Sequence, residues 1–123
     1  MRRVFVSSYS CGVGKAAEII AALRAAGVEV NHSPRDTADS SWGSWYSEGL
    51  AKSLSQCQAF VAVIDGARDS STWMAIECDT ARKILGNACF CWNPDHIKVT
   101  EGMLGYLGRR LSDRLSDATS QVR

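Results

Sequence analysis

No stretch of the chain approaches the ~18 consecutive apolar residues that a membrane-crossing helix needs. Met1-Arg2-Arg3 resembles the start of an export signal, but Val4, Phe5 and Val6 are followed at once by Ser7, Ser8 and Tyr9. Neither a membrane span nor a secretory leader is expected, and the expected location is cytoplasmic. Charge of one sign is also missing: Lys plus Arg number 14 and Asp plus Glu 13, a formal charge of +1. Nucleic-acid binding would call for a clustered basic surplus, so it is not expected. Histidine is scarce as well. Five cysteines, Cys11, Cys57, Cys78, Cys89 and Cys91, are accompanied only by His32 and His96, neither at a zinc-finger spacing. An odd number of cysteines, several of them inside apolar runs, suits buried thiols in a reducing compartment rather than a disulfide frame or a metal site.

What is present is ordinary globular material. With 46% hydrophobic and 22% charged residues over 123 positions, one core and one domain spanning residues 1–123 are expected. Val4 to Val6 form a short strand. Apolar residues at Ala16, Ile19, Ile20 and Leu23 follow the spacing of one helix face, closed by Gly27. Val28 to Val30 make a second strand, and residues 31–41, with Pro34, Asp36 and Asp39, make an exposed loop. Trp42, Tyr46, Leu50 and Leu54 recur every four residues, predicting a helix from about Ser44 to Ser55.

Ala59 to Ile64 is apolar at every position, as a strand covered on both faces should be. Met74, Cys78, Ala81 and Leu85 give a third helical stripe that ends at Gly86. Ala88 to Trp92 form a fourth strand, stopped by Asn93-Pro94. Thr100 and Glu101 open a last helix carried by Leu104, Leu107, Leu111 and Leu115, with frayed residues after it. Gly102, Gly105 and Gly108 inside that helix each cost ~1 kcal/mol relative to Ala, so a close neighbour is expected there, either the protein's own sheet or another subunit. Ile97 to Val99 could pair at a sheet edge as a fifth strand, but three residues leave that open.

Strand and helix alternate throughout, which predicts a doubly wound α/β fold: a mainly parallel sheet of four or five strands with helices on both faces. Ligands of such sheets bind beyond the carboxyl ends of the strands, where the strand order reverses. For the flavodoxin-like order 2-1-3-4, Ser7 to Ser10 and Asp65 to Ser71 border that crevice. His32 and Arg35, on the loop after the second strand, are candidates for binding a pyrophosphate. Tyr9, Trp42, Trp45 and Tyr46 are candidates for stacking on a base, although helix-spaced Trp42 and Tyr46 fit a core better.

Gly12-Val13-Gly14-Lys15 invites a phosphate-loop reading, but Tyr9 stands where the leading glycine is needed and Ala16 where Ser or Thr is needed. Ser71-Thr72-Trp73-Met74-Ala75-Ile76-Glu77 is more informative. Ser71 or Thr72 can cap the third helix just beyond the crevice, and Trp73 and Glu77 are one turn apart. At 100° per residue Glu77 projects roughly 70° from the centre of the buried stripe, at the border of the core. A carboxylate so placed can stabilise an oxocarbenium-like centre or hold ribose hydroxyls.

The run Val4-Phe5-Val6-Ser7-Ser8-Tyr9-Ser10, then Gly27-Val28-Glu29-Val30, then Cys57 to Ile64, then Ser71-Thr72-Trp73 and Glu77 resembles the Toll/interleukin-1 receptor (TIR) domains over about the first 85 residues. The loop after the second strand departs from that family's frequent Arg-Asp-Pro-Gly run, holding Pro34-Arg35-Asp36 instead. The resemblance implies a substrate rather than a bound cofactor: NAD, cleaved between nicotinamide and ribose, with Glu77 catalytic and Ser7, Ser8, Tyr9, His32, Arg35, Asp65 and Trp73 around the nucleotide. It equally implies self-association or pairing with other TIR domains, since some members only assemble. The plan is also similar to that of the nucleoside 2-deoxyribosyltransferases, but those carry Gly-Thr shortly before their glutamate, where this chain has Ser71-Thr72 and then Trp73.

Overall fold

A computed structural model of the protein describes residues 2–8, 14–32, 48–65 and 72–123. Five strands form one sheet: β1 (Arg3–Ser7), β2 (Glu29–His32), β3 (Ala59–Val63), β4 (Cys89–Trp92) and β5 (Arg109–Arg110). Their order is β2-β1-β3-β4-β5, and every pairing is parallel. The doubly wound plan read from the alternation is therefore the fold, and the order reverses between β1 and β3.

Among the described residues five helices cover the sheet: α1 (Gly14–Ala25), α2 (Leu50–Ser55), α3 (Thr72–Leu85), α4 (Glu101–Leu104) and α5 (Leu115–Val122). Side chains alternate across a strand, so each strand feeds two cores. Val4, Val6, Val61, Val63, Phe90 and Trp92 pack on one face with Ile19 and Leu23 of α1 and Ala118 and Val122 of α5. Phe5, Phe60, Ala62, Cys89 and Cys91 pack on the other with Leu50 and Leu54 of α2 and Met74, Cys78 and Ala81 of α3. The rings of Phe5 and Phe60 stack at 5.8 Å between neighbouring strands.

Beyond residue 100 the structure departs from the sequence expectation. Thr100 does cap a helix, its hydroxyl accepting from the Met103 amide at 3.4 Å, but that helix ends at Leu104. The fifth strand is Arg109–Arg110 and not the apolar segment 97–99. Leu107 packs on the α3 side of the sheet, whereas Leu111 and Leu115 pack on the α1 side. Leucines spaced as one helical stripe are thus divided between two cores by a strand. The cause stands at Gly108, where an added Cβ would overlap the Cys89 carbonyl oxygen and lie 2.9 Å from the Phe90 nitrogen. Of the three glycines only Gly108 has the close neighbour expected, the protein's own sheet, while Gly102 and Gly105 have nothing within 4 Å of an added Cβ.

The carboxyl end of the chain is docked rather than frayed. Ala118 and Val122 are fully buried, and Arg2 Nε donates to the Val122 carbonyl at 2.9 Å.

Cys57, Cys78, Cys89 and Cys91 are buried and in no disulfide, and Cys11 lies outside the described residues. Burial pushes Cys57 and Cys91 up to about 11, against the opposing charges of Arg3 and Arg110, and it raises Cys89 against Arg82. Thiolate is the reactive form. At pH 8 an aromatic disulfide reagent is therefore expected to label none of these four in a folded Cys11→Ser variant, and all four once guanidinium is added. Rapid labelling of the folded variant would contradict the burial.

Candidate functional site

The carboxyl ends of β1 and β3 meet at the reversal of strand order, as the topology requires of a binding crevice. Ser7 closes β1 opposite Ala62 of β3. Alternation places it with Phe5, on the face covered by α3. Its hydroxyl donates to Glu77 Oε1 at 2.6 Å. Ser7, Ser8 and Glu77 are 0%, 1% and 0% exposed.

Glu77 is thus deeper than its helix angle indicates. The angle measures only the stripe of α3 itself, Met74, Cys78 and Ala81, each at most 1% exposed. The end of β1 supplies a second wall. A carboxylate removed from water is tolerated only with hydrogen-bond partners in place of it, and Ser7 is one.

Asp65 stands just past β3 but serves the opposite face. Its Oδ2 accepts from the Lys15 backbone N–H at 2.6 Å, at the first turn of α1. Gly14 begins that helix with φ +62°, a conformation that favours glycine. A Cβ there would lie 3.0 Å from Asp65 Cγ and overlap Oδ2. The positive end of the α1 dipole is therefore occupied by a carboxylate of the protein. The Gly-x-Gly-Lys run, already short of a phosphate loop in sequence, has its helix start filled by Asp65. Gly14 is a contact that sequence reasoning missed; the signal was present as a glycine directly before a helix facing an acidic strand end.

Asp65→Asn removes the charge from that helix start and keeps the shape. The expected loss is about 1 kcal/mol of stability, checked by urea unfolding. Unchanged stability would show the contact to be energetically idle.

His32 ends the edge strand β2, paired in register with Val6 of β1, and is exposed. The structure brings Ser7 together with Glu77, and Asp65 together with Gly14 and Lys15. Trp73 lies in the first turn of α3, and its side chain is outside the described positions. Tyr9, Arg35, Trp42, Trp45 and Tyr46 lie outside the described residues, as does the helix start expected at Ser44.

No protein-family model matches this chain, and no curated protein does. Function therefore has to be argued from these side chains.

One further polar cluster lies at the same end of the sheet and was not foreseen. Asn93, which follows β4, closes a turn by donating to the Ile97 carbonyl at 2.8 Å and accepting from the Ile97 amide at 3.0 Å. Inside that turn His96 adopts φ 53°. Its Nε2 lies 2.6 Å from Asp113 Oδ2, and Arg110 Nη2 lies 3.1 Å from its Nδ1. A guanidinium can only donate, so Nδ1 accepts and Nε2–H donates to Asp113. The His96 hydrogen bond, then Arg110, holds the exposed Asp113 carboxyl below its ordinary range. Both ring nitrogens are engaged, which suits a brace across the β4 and β5 ends better than a general base.

Among the described residues no group of His, Cys, Asp and Glu could hold a metal ion, and no helix is long and apolar enough to cross a membrane.

Proposed function

We propose that the protein is a TIR-like NAD glycohydrolase, which cleaves the bond between nicotinamide and ribose and leaves ADP-ribose or its cyclic form. The observation that carries this reading is the buried Ser7–Glu77 hydrogen bond at the reversal of strand order. Loss of nicotinamide makes the ribose anomeric carbon cationic. A carboxylate held away from water at the carboxyl end of β1 interacts more strongly with such a charge than an exposed one would. The Ser7 hydroxyl fixes the orientation of one carboxylate oxygen, leaving Glu77 to position the ribose and to stabilise the charge as it develops. The resemblance of the Ser7-Ser8-Tyr9-Ser10 and Trp73…Glu77 segments to TIR domains supplies the substrate class.

The full burial of Glu77 favours a second reading, an assembly module in which the carboxylate ties α3 to β1 and no chemistry occurs. A TIR-like enzyme is often active only when assembled, so the test must span concentration. Nicotinamide release from NAD is measured across a series of protein concentrations, with light scattering on the same samples. The enzyme reading expects nicotinamide release that rises once particles form. Particles without any loss of NAD favour the module.

A further inference from the structure

We propose that the outer edge of β2 pairs with the same edge of a second copy of this chain, antiparallel and centred on Val30, so that the sheet continues across a two-fold axis. The surface is independent of the NAD reading, because it is built from the strand edge and neither Ser7 nor Glu77 takes part in it.

β2 stands at one end of the strand order and is paired with β1 alone among the described strands. The Glu29 N–H donates to the Arg2 carbonyl at 3.0 Å, which turns the backbone of Glu29, and by alternation that of Asn31, toward β1. The N–H and C=O of Val30 therefore point away from the sheet. Among the described residues no hydrogen bond reaches them. Beside the strand lies a space of about 480 Å³, lined by residues 27–31 together with Arg3 and Arg24. Val28 and Val30 belong to the α1 face, whereas Asn31 turns toward α2 and donates from Nδ2 to Ser53 Oγ at 3.0 Å. A space bordered by residues of both faces lies along the edge itself, the position of a further strand.

Register selects the occupant. In an antiparallel pair, a residue that turns both backbone groups outward exchanges two hydrogen bonds with the residue opposite. Val30 of one copy and Val30 of the second do this for each other. Val28 cannot be the centre, because its N–H already donates to the Leu23 carbonyl at 3.0 Å. Centring on Val30 sets Glu29 opposite Asn31 of the second copy on each side of the axis, a pair whose side chains stand close. The Asn31 amide has a second N–H besides the one given to Ser53, and the Glu29 carboxylate accepts it. Centring on Glu29 would set two carboxylates opposite each other, which is destabilising. On the α1 face the two Val30 side chains meet, and each is only half-buried in the single chain. One patch thus complements itself, as a two-fold interface requires. A charged residue on an edge strand ordinarily discourages pairing, but Glu29 is balanced by the guanidinium of Arg3 on β1, so docking buries no lone carboxylate.

The test is amide hydrogen exchange of the full chain, read by NMR from micromolar to millimolar protein, with sedimentation of the same samples. The mass is expected to rise from one chain to two. Val30 is expected to exchange freely in the dilute chain and at least about tenfold more slowly in the dimer, whereas Asn31, bonded to β1, is protected throughout. Asn31→Lys sets a cation opposite Glu29 and is expected to tighten the dimer about fivefold, and Asn31→Glu to weaken it about fivefold. Both variants lose the bond to Ser53 alike, so an effect on folding alone would move them the same way. A chain that stays monomeric at millimolar concentration leaves the edge to a different partner and overturns the proposal. Protection of Val30 that does not depend on concentration, a dimer in which Val30 exchanges as fast as in the dilute chain, or the two variants shifted in the same direction would overturn it equally.

Discussion

Glu77→Gln is expected to leave the protein folded and to lower NAD turnover by about 10²-fold or more, the scale on which removal of one preorganised electrostatic contact acts. The amide has nearly the shape of the carboxylate and keeps an oxygen to accept from Ser7, so the contact across β1 and α3 survives while the charge does not. Glu77→Ala removes both. It leaves a cavity between Met74 and Ala81 and takes away an acceptor of the Ser7 hydroxyl, at a cost of about 2–4 kcal/mol. Turnover of nicotinamide and urea unfolding, measured on both variants, separate the two roles. A catalytic Glu77 makes Gln and Ala equally inactive but unequally stable. A tether without chemistry makes them unequally stable with no NAD lost by either, or by the unsubstituted chain. NAD turnover in Glu77→Gln equal to that of the unsubstituted protein would sink the enzyme reading even if the alanine variant were dead, because unfolding alone would explain the latter.

The fold was legible because the two periodicities of the chain are strong where it counts. The unbroken apolar run Ala59 to Ile64 could only be a central strand, and the stripe Met74, Cys78, Ala81, Leu85 could only be a covering helix. Legibility ended at residue 105, for a definable reason. Leu104, Leu107, Leu111 and Leu115 have helical spacing, but spacing cannot record that a strand of two residues intervenes and sends Leu107 and Leu111 to opposite cores. The glycines held the missing information, since helix interiors disfavour them.

The site was legible in part for a similar reason. The order of strands placed Ser7 and Asp65 at one crevice, while local angle alone set Glu77 at the border of the core, where the β1 end in fact encloses it. Sequence could not assign Asp65 to the start of α1, because that contact joins residues 50 positions apart. Nor could it show that His96, Arg110 and Asp113 converge, since they come from a turn, a strand and the segment after it. The two acidic residues at the reversal point have different roles, Asp65 balancing a helix dipole on one face of the sheet and Glu77 standing beside a serine on the other.

Gly108→Ala is the substitution expected to cost most per atom added. A methyl group there meets the carbonyl of Cys89 and lies 2.9 Å from the Phe90 nitrogen, atoms of the β4 backbone that cannot swing aside as a flexible side chain would. Either β5 moves away from β4, losing the bonds that pair Phe90 with Arg109 and Cys91 with Arg110, or the backbone of β4 shifts against Phe60 and Ala62. Overpacking of this kind typically costs 1–3 kcal/mol, and a rigid backbone neighbour places the expectation at about 3. For a domain of this size that corresponds to a fall in Tm of roughly 10 °C. Gly105→Ala, shortly before it in the chain, is the control. Gly105 has φ −70° and nothing within 4 Å of an added Cβ, so alanine there is expected to be neutral or slightly stabilising. A thermal melt of the two variants decides between the sheet and the continuous helix that the leucine spacing suggests. In a helix both glycines would be interior positions and both alanines would stabilise. In the sheet the two substitutions act in opposite directions, because only Gly108 lies against another strand's backbone.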